Sequence, residues 1–587
     1  MSLSYADACD QVTAPGQPFA LVDAEIRGRT YPVFENAPPS LANLFAMAAL
    51  RGDQTYVVYE DEEWSFGEIV AHGHALAAAL VDDLGIEKGD RVAIAMRNHP
   101  EYITAVIGIM SAGAVAVPLN AWWTGDELAY GLTDSGSRAV VCDPERLERL
   151  AGLANGPDVA TILVRDSSDA ASDGAAADGA ASDGAVADHR YDDLVESRRP
   201  APEVEIGPED DATILYTSGT TGNPKGAVAT HRAHTNAVMG YWARATVAAA
   251  IAAAEPDEPE GSGTEDLVSE AGSQSFILTV PLFHVTGFVP VMLGSFGLGT
   301  KLVMMYRWDA KRALELIERE QVTMFVGVPT MLQDLLECPE FDDFDTSSLR
   351  SIGGGGAAAA PELVRRVEGS FAKGRPGIGY GMTETTAYGP QNVGDDYLAK
   401  PTSSGKAVPV MQIKVIDEQG NTLGPDETGE ICFYGPTLIR EYWNKPEATA
   451  EAFIDGWLRT GDIGRIDADG DVFIEDRAKD LVIRAGENIG CIEVEAAIVE
   501  HPSVYEVAVF GLPHERLGEE LACCIHLKEG ETLDAETLRA HVAERLAGFK
   551  VPSVVEFSAE MLPRSAQGKI LKREIRDRLT EERAAAT

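Results

Sequence analysis

Helical and strand-like spacings of apolar residues alternate along the first part of the chain. From Ser65 to Leu80 apolar residues recur at helical spacing, and Arg91–Met96 is a short apolar run typical of a buried strand. A helical stretch over residues 101–112 and strand-like runs over 114–119 and 139–142 follow. Because strands that alternate with helices of this length form βαβ units, the pattern predicts a mainly parallel sheet.

The same alternation returns later in the chain, at the strand-like runs 276–280 and 322–326, and predicts a second α/β layer. Beyond residue 500, strands are predicted at 504–510 and 522–527, and a helix at 532–547 with acidic residues early, as the helix dipole favours. At 587 residues the chain is too long for one ordinary core. We therefore expect an α/β protein with a large amino-terminal part and a small α+β carboxy-terminal domain.

Two stretches interrupt this pattern. Residues 166–188 repeat Ala-Ser-Asp-Gly and Ala-Ala-Asp-Gly with almost no apolar bulk. Residues 248–274 begin as polyalanine and become acidic and rich in proline, glycine and serine. Such compositions cannot bury enough apolar surface to order themselves, so both are predicted to be disordered surface insertions. The alanine part of the second insertion could instead extend a helix.

The formal net charge of −46 changes the expected partners. A nucleic acid or an anionic membrane needs a basic face, so both are excluded as partners. The acidic residues are spread along the whole chain, and Arg outnumbers Lys. A dispersed carboxylate surface of this kind favours a halophilic protein that works in concentrated salt, where self-repulsion is screened. An ordinary acidic cytosolic enzyme is the alternative.

The seven cysteines show no zinc-binding or redox spacing. Cys523 and Cys524 lie within an apolar run and are predicted to be small buried hydrophobic residues. An odd number of cysteines without a disulfide framework fits a protein of a reducing compartment. No apolar run reaches transmembrane length, and the amino terminus lacks the layout of a signal peptide, so we expect a cytoplasmic protein.

The densest candidate chemistry lies in residues 216–226, directly after a strand-like run. Four Ser or Thr hydroxyls, three glycines and Lys225 fall within this segment. Glycine brings backbone N–H groups close to an anion, the hydroxyls add donors, and lysine adds a positive charge. The segment therefore predicts a polyphosphate site. It is not a Walker A loop, because Pro224 precedes Lys225 and Gly226 follows it.

The segment closely resembles the phosphate loop of the adenylate-forming superfamily, which includes acyl-CoA synthetases, luciferases and the adenylation domains of peptide synthetases. Further segments resemble the other motifs of that superfamily, in the same order: 281–287, 327–330, 354–357, 380–384, 459–462, 476–480 and 563–570. The resemblance runs from about residue 40 to residue 575. It implies an adenylation domain over residues 1–478, with a smaller β subdomain, and a small mobile lid over 479–587.

The resemblance also implies a reaction. A carboxylic acid attacks the α-phosphorus of ATP to give an acyl-adenylate and pyrophosphate, and coenzyme A then displaces AMP. The residues expected to bind ATP and AMP combine backbone donors, hydroxyls and charges: Thr217, Ser218, Gly219, Thr220, Thr221, Lys225, Gly355, Gly356, Ala357, Tyr380, Gly381, Asp462 and Arg477.

Three residues are expected to act on the reacting phosphate. By resemblance, Thr383 bonds the α-phosphate, and Glu384 coordinates a Mg²⁺ ion that bridges the phosphates. Lys569 swings onto the α-phosphate and the carboxylate oxygens during adenylation. Attack of one anion on another depends mainly on positive charge and positioned donors, which is what these residue types supply.

The resemblance also suggests where the acid binds. The expected acyl-pocket residues are His284, Gly354, Gly381 and Thr385. Relatives that take acetate close the pocket with a Trp where this chain has Gly381, so we expect an open pocket and a medium- or long-chain fatty acid. An aryl or branched acid is the alternative.

The thioester half of the reaction is expected to use the lid. By resemblance, the lid rotates about Lys479 and Asp480, Gly486 lines the coenzyme A tunnel, and Lys550 and Arg516 are candidates for its phosphates. Many relatives have Gly-Gly and a nearby Pro where this chain has Ala485-Gly486 and Gly490-Cys491, which puts the thioester half-site in doubt.

Three other functions share the nucleotide motifs. The chain could be an adenylation domain that serves a carrier protein, although no carrier segment follows Thr587, or a luciferase-like oxygenase. A nucleotide sensor without turnover would be expected to lose Lys569 or Glu384, and both are present. The expected partners are ATP, the acid and coenzyme A, and a homodimer is left open.

Overall fold

The computed structural model describes residues 3–153, 156–165, 186–217, 223–254, 274–357, 359–484, 487–514, 516–565 and 568–586. Before the lid, its α-helices are Tyr5–Val12, Leu41–Ala49, Phe66–Asp82, Pro100–Ser111, Gly125–Ser135, Pro144–Ala151, Tyr191–Val195, His231–Ala253, Gly294–Leu298, Ala310–Glu320, Pro329–Leu336, Pro361–Ser370, Gly394–Ala399 and Pro446–Ala452. Gly287–Leu293 forms a π-helix, and short 3₁₀ turns cover Phe341–Asp343, Thr383–Thr385 and Gly548–Lys550.

The predicted parallel sheet is confirmed as an eight-stranded sheet. Its strands run in the order Glu441–Tyr442, Lys225–Thr230, Asp211–Thr217, Val115–Pro118, Arg91–Ala95, Ser137–Cys142, Ala160–Leu163 and His189–Arg190. The strands from Asp211–Thr217 onward are parallel, whereas the first two strands pair antiparallel. The helix that starts at Phe66 is fixed by a capping box between Ser65 and Glu68.

The second layer is a larger sheet of fourteen strands. The main order is Gln412–Ile416, Gly429–Tyr434, Trp457–Ile466, Asp471–Arg477, Ser403–Lys406, Gln391–Val393, Arg375–Gly379, Ser351–Gly355, Met324–Gly327, Ser275–Leu278, Lys301–Met304, Thr55–Tyr59 and Glu62–Ser65, and Phe453–Ile454 pairs with Trp457–Ile466. The strands between Arg375–Gly379 and Thr55–Tyr59 are parallel. The antiparallel strands of the expected β subdomain continue the same sheet.

A separate small sheet forms the carboxy-terminal part. It contains Glu487–Ile489, Val482–Arg484, Gly518–Leu527, Val504–His514 and Val554–Ser558, with helices Cys491–Val499, Ala535–Ala543 and Lys572–Ala586. The predicted strands are confirmed. The helix predicted at 532–547 is shorter, because the Asp534 carboxylate accepts hydrogen bonds from the N–H groups of Glu536 and Thr537 and starts the helix there.

Cys523 and Cys524 are fully buried, as predicted, but in two different cores. Successive side chains of a strand point to opposite faces. Cys523 packs with Val509 and Leu538, whereas Cys524 packs with Ile575 and Leu579 of the last helix. The strand Gly518–Leu527 therefore separates two small hydrophobic clusters.

The insertions are partly outside the described residues. Residues 166–185 and 255–273 belong to that undescribed part. The helix His231–Ala253 includes the alanine stretch, so for residues 248–253 the alternative of a helix extension is confirmed and the prediction of disorder is wrong. Alanine has the highest helix propensity, which explains the difference. No described helix combines the length and apolarity that crossing a bilayer requires.

Candidate active site

The candidate site lies at the carboxyl ends of three parallel strands of the large sheet, and we call this region the cleft. These are Met324–Gly327, Ser351–Gly355 and Arg375–Gly379, and the last residues of the second and third strands are partly exposed. Ligands of open α/β sheets bind at this edge. Gly356 follows with φ of +78°, which glycine adopts without strain. Gly355 and Gly356, which are predicted to bind ATP, thus lie at this edge, and Ala357 lies exposed beside them.

The segment 380–388 leaves the strand Arg375–Gly379 and turns sharply. Thr386 and Ala387 both have positive φ, at 57° and 58°. Non-glycine residues seldom adopt this conformation, and such strain is concentrated at functional sites. Two hydrogen bonds of 2.6 Å stabilise it: Tyr241 donates to the Ala387 carbonyl and the Thr386 hydroxyl donates to the Thr437 carbonyl. The half-buried Thr383 and the buried Glu384 are positioned by this turn.

Glu384 lies close to the segment that resembles the phosphate loop. Its carboxylate is only 6% exposed and accepts a hydrogen bond of 2.6 Å from the Tyr442 hydroxyl. The ammonium of Lys225 lies 5.3 Å from the centre of the Tyr442 ring. Burial raises the pKa of Tyr442, and the Glu384 charge adds to the shift, so the hydroxyl stays a donor. Thr217 pairs with Lys225 across neighbouring strands. Tyr442 thus connects Lys225 to Glu384.

A second polar cluster surrounds Asp462. This carboxylate is 3% exposed, accepts a hydrogen bond from the Tyr380 hydroxyl and forms an ion pair of 3.1 Å with Arg477. Asp462 and Arg477 face each other in neighbouring antiparallel strands, so the sheet register brings them together. Burial raises the pKa of Tyr380, and the Asp462 charge adds to the shift. Three residues predicted to bind the adenosine part are therefore in contact.

Lys569 reaches the same cluster from the lid. A Cβ added to Gly356 would lie 3.3 Å from Cε of Lys569 and 3.6 Å from its Nζ, so the lysine lies against that glycine. Burial lowers the pKa of Lys569 from 10.5 to about 8; the positive charge of Arg477 adds to the shift and Asp462 opposes it. A lysine that is only partly desolvated and faces a nucleotide cleft can stabilise developing negative charge.

His284, predicted to line the acyl pocket, lies near enough to Lys569 for the lysine's charge to act on its ring. Its Nδ1 accepts a hydrogen bond of 3.3 Å from the backbone N–H of Thr286, which leaves the proton on Nε2. Burial lowers the pKa of His284 to about 3, and the positive charge of Lys569 adds to the shift. The ring is therefore a neutral donor rather than a base at pH 7.

Two other residues are predicted to line the acyl pocket, and the structure places them in different surroundings. Gly354 has room, since an added Cβ would meet nothing closer than 3.8 Å. Thr385 is fully buried, and its hydroxyl donates to the Met382 carbonyl and accepts from the Met382 N–H, so it stabilises the turn.

Gly381 lies where two backbone segments approach closely. A Cβ at Gly381 would lie 2.6 Å from the carbonyl oxygen of Ala387 and 2.8 Å from its carbonyl carbon. This approach is a second reason for glycine at residue 381, beside the open acyl pocket that the resemblance implies. A larger residue there would require the turn at Ala387 to move, and the open pocket stays a prediction.

The predicted hinge residues follow the strand Asp471–Arg477 directly. The Asp480 N–H donates to the Arg477 carbonyl at 2.9 Å, and the Cys491 thiol donates to the Asp480 carbonyl at 3.2 Å. Burial lowers the pKa of Lys479, and the charge of Arg477 adds to the shift.

Of the coenzyme A candidates, Lys550 forms an ion pair with Glu493, and the backbone N–H of Arg516 donates to His514 at 3.2 Å. Gly486 and the loop residues Ser218, Gly219, Thr220 and Thr221 lie outside the described residues.

Sequence reasoning missed Tyr442. It lies 58 residues beyond Glu384 in the chain, on the two-residue strand Glu441–Tyr442 of the eight-stranded sheet, whereas Glu384 lies in the 3₁₀ turn Thr383–Thr385. A strand that short has no apolar periodicity, so no local pattern marks Tyr442. The pairing of that strand with Lys225–Thr230, and a backbone hydrogen bond from the Ile439 N–H to the Glu384 carbonyl, bring its hydroxyl to the carboxylate.

Known proteins match both parts of the chain. Residues 44–443 match the family described as "AMP-binding enzyme", and residues 493–569 match "AMP-binding enzyme C-terminal domain". A long-chain-fatty-acid–CoA ligase of Mycobacterium tuberculosis is 34% identical over 506 residues, covering 85% of this chain and 90% of that protein. A feruloyl-CoA synthase of Amycolatopsis is 34% identical over 496 residues, covering 84% and 90%.

A solved structure agrees. The o-succinylbenzoate CoA synthetase of Bacillus subtilis, in complex with an acyl-adenylate intermediate, aligns with a TM-score of 0.71 and 29% identity over 91% of this chain and 97% of that chain. The family matches cover the glycine-rich strand ends, Glu384 and Lys569, whereas Asp462 and Arg477 lie between the two matched ranges. The chain belongs to the AMP-binding enzyme family, within which it is an AMP-forming acyl-CoA ligase.

Proposed function

We propose that the protein activates a medium- or long-chain fatty acid with ATP and transfers the acyl group to coenzyme A. The observation that supports this reaction is the convergence of Glu384, Asp462 and Lys569, from three distant segments, on the glycine-rich strand ends. The name of the Mycobacterium tuberculosis relative supports a fatty acid as the substrate.

In the first step, a carboxylate oxygen of the acid attacks the α-phosphorus of ATP. The bond from that phosphorus to pyrophosphate breaks, and its electron pair leaves with the pyrophosphate. Protonated Lys569 offsets the charge that develops on the α-phosphate, and Thr383 donates to the same group. Lys225, Thr217 and the following loop, with residues 218–221, hold the β- and γ-phosphates.

A Mg²⁺ ion fits the oxygen donors at Glu384. Hard cations prefer carboxylate and phosphate oxygens, and the Tyr442 hydroxyl orients the Glu384 carboxylate from behind. When bound, the ion would neutralise phosphate charge. Asp462 and Arg477 hold the ribose hydroxyls, and Tyr380 stacks on the adenine while its hydroxyl touches Asp462.

In the second step, the sulfur of coenzyme A attacks the acyl carbon and its thiol proton is released to solvent. The bond from the acyl carbon to the phosphate oxygen breaks, and AMP leaves with that electron pair. We propose that the lid, residues 479–587, first rotates about Lys479 and Asp480 and withdraws Lys569. Domain closure of this kind around a few hinge residues gates many reactions. Gly486 and Lys550 are proposed to contact coenzyme A after that rotation.

The acid itself is bound beside His284 and Gly354. A neutral imidazole with a proton on Nε2 can donate to a carboxylate without forming a tight ion pair. The second candidate substrate is an aryl acid. The name of the Amycolatopsis feruloyl-CoA synthase supports it, since that protein and the Mycobacterium tuberculosis relative are both 34% identical to this chain.

The test is release of AMP that depends on both acid and coenzyme A. Purified protein is incubated with ATP, Mg²⁺, coenzyme A and, in turn, octanoate, palmitate, ferulate or acetate, and AMP is quantified. We expect the largest kcat/KM with octanoate or palmitate. A larger kcat/KM with ferulate would mean that the substrate is an aryl acid rather than a fatty acid. AMP release that does not depend on coenzyme A, with every acid tested, would refute the ligase assignment.

We also propose that the protein is cytoplasmic and adapted to concentrated salt. Its net charge of −46 opposes compaction, and salt screens that repulsion. The Debye length falls from about 10 Å at 0.1 M salt to about 3 Å at 1 M. The thermal midpoint should rise steeply as KCl increases from about 0.1 M to several molar. A flat midpoint with full activity in dilute buffer would exclude this adaptation and leave the ligase assignment intact.

A further inference from the structure

The lid contacts one helix of the large domain, Pro329–Leu336, at more than one point. The Tyr505 hydroxyl donates a hydrogen bond of 2.7 Å to Oδ1 of Asp334, and Nε2 of Gln333 donates one of 2.7 Å to the Tyr505 carbonyl. At the start of the same helix, the Thr330 hydroxyl donates to the carbonyl of Gly568 at 3.4 Å. The helix therefore touches both Tyr505 and the turn that carries Lys569.

Asp334 is itself fixed within the large domain. Its Oδ2 accepts a hydrogen bond of 3.0 Å from Nε1 of Trp308, while Oδ1 accepts from Tyr505. The helix begins directly after the strand Met324–Gly327, which pairs with Ser351–Gly355 at the cleft. An acceptor held in this way has a defined position relative to Gly356.

Inside the lid, the residue next to Tyr505 holds the lysine turn. Glu506 is 4% exposed, accepts a hydrogen bond of 2.6 Å from the Leu562 N–H and forms an ion pair with Arg564. Arg564 in turn donates to the Gly568 carbonyl at 2.9 Å. A short path thus leads from Asp334 through two consecutive strand residues to the turn of Lys569.

We propose that Tyr505 is a positioning residue, whose hydrogen bond to Asp334 keeps the lid in the orientation that places Lys569 against Gly356 and so favours adenylation over thioester formation. The inference rests on the proposed two-step reaction. It goes beyond that reaction because it identifies which contact biases the lid between the two steps.

The chemistry of this pair suits a contact that must form and break. Burial raises the pKa of Tyr505, and the hydrogen bond to Asp334 adds to the shift, so the hydroxyl remains a donor throughout the working pH range. A hydrogen bond to a charged acceptor is stronger than a neutral one, yet a single bond is weak enough to be lost in each cycle. The side chain of Tyr505 is half-buried, so water can replace its partner when the lid moves.

The test separates the two half-reactions in the full-length protein. Adenylation is measured as acid-dependent exchange of pyrophosphate into ATP, and thioester formation as turnover of supplied acyl-adenylate with coenzyme A. Tyr505→Phe removes only the hydroxyl and should slow adenylation about three- to tenfold. Thioester formation should be unchanged or faster. Asp334→Ala should give the same split, and the double variant should be no slower than the more affected single variant.

A matched control and a second variant complete the design. Tyr434→Phe also removes one tyrosine hydroxyl, which donates to the Thr30 carbonyl far from the lid, and should leave both half-reactions unchanged. Gln333→Ala removes the neighbouring contact from the large-domain side and should slow only adenylation. Equal slowing of both half-reactions by Tyr505→Phe, or no slowing of adenylation, would overturn the proposal. Wild-type protein that shows no exchange with any acid would instead refute the proposed function.

Discussion

On one side of the cleft, Gly355 and Asp462 lie on strands of the fourteen-stranded sheet, whereas on the other side Lys569 lies on a turn of the small domain. The first two are held by backbone register, with Gly355 opposite Gly379 and Asp462 opposite Arg477. Lys569 is held by its turn and by a few side-chain hydrogen bonds to the helix Pro329–Leu336. A residue fixed by the pairing of two strands stays at the cleft through both half-reactions. A residue held there by only a few side-chain hydrogen bonds can leave the cleft after one half-reaction.

Removing Lys569, on the lid side of the cleft, should give the largest difference between the rates of the two half-reactions. Lys569→Ala should slow acyl-adenylate formation by about a hundredfold or more, on the order of 3 kcal/mol, because it removes the charge that stabilises the reacting phosphate. Thioester formation from supplied acyl-adenylate should be nearly unchanged. Asp462→Ala provides the contrast from the sheet side and should impair both half-reactions. Equal losses in Lys569→Ala would mean that Lys569 acts in both steps or supports folding.

The charge of Lys569 should also set a pH limit on adenylation. Its pKa is lowered to about 8, and the protonated form is the useful one, so kcat/KM for pyrophosphate exchange should fall as pH rises through about 8. For stability the sign is opposite. Between pH 8 and 10.5 Lys569 is still protonated in the unfolded chain but loses its proton in the folded one, so the free energy of unfolding rises with pH across this window. Above pH 10.5 the folded protein no longer carries the cost of burying the ammonium. Lys569→Arg keeps its charge and should lack the alkaline fall in rate. An unchanged profile in that variant would assign the fall to another group.

A smaller effect is expected from the close backbone approach on the sheet side. Gly381→Ala should lower the stability of the large domain by about 1–3 kcal/mol, because its Cβ would lie 2.6 Å from the Ala387 carbonyl oxygen. Gly379→Ala is the matched control, since its Cβ would meet nothing closer than 3.7 Å. Thermal midpoints of the two variants measured side by side make the comparison. Equal midpoints would show that the Ala387 turn yields without cost.

The sequence predicted the layered α/β fold and the residues of the cleft, but not how their side chains are directed. Ordered motifs identified Asp462, Arg477 and Lys569, and the structure brings these three together. Motifs could not show that Thr385 faces its own turn or that Gly381 faces Ala387, because those directions depend on φ and ψ of a strained segment. Tyr442 escaped prediction because its contact with Glu384 joins a two-residue strand to a distant turn. Composition left two alternatives for the alanines at 248–253, disorder or an extended helix, and their high helix propensity explains why the helix forms.

The strand Gly518–Leu527 carries two neighbouring cysteines whose alkylation can be used to measure local opening of the lid. Its neighbouring thiols Cys523 and Cys524 are both fully buried, and burial raises the pKa of each, so neither reacts with an alkylating reagent unless its own cluster opens. The two cysteines belong to different hydrophobic clusters: Cys523 packs under the helix Ala535–Ala543, and Cys524 packs under the last helix, Lys572–Ala586. Alkylation followed by fragmentation of a single peptide would therefore report which face of the lid loosens first.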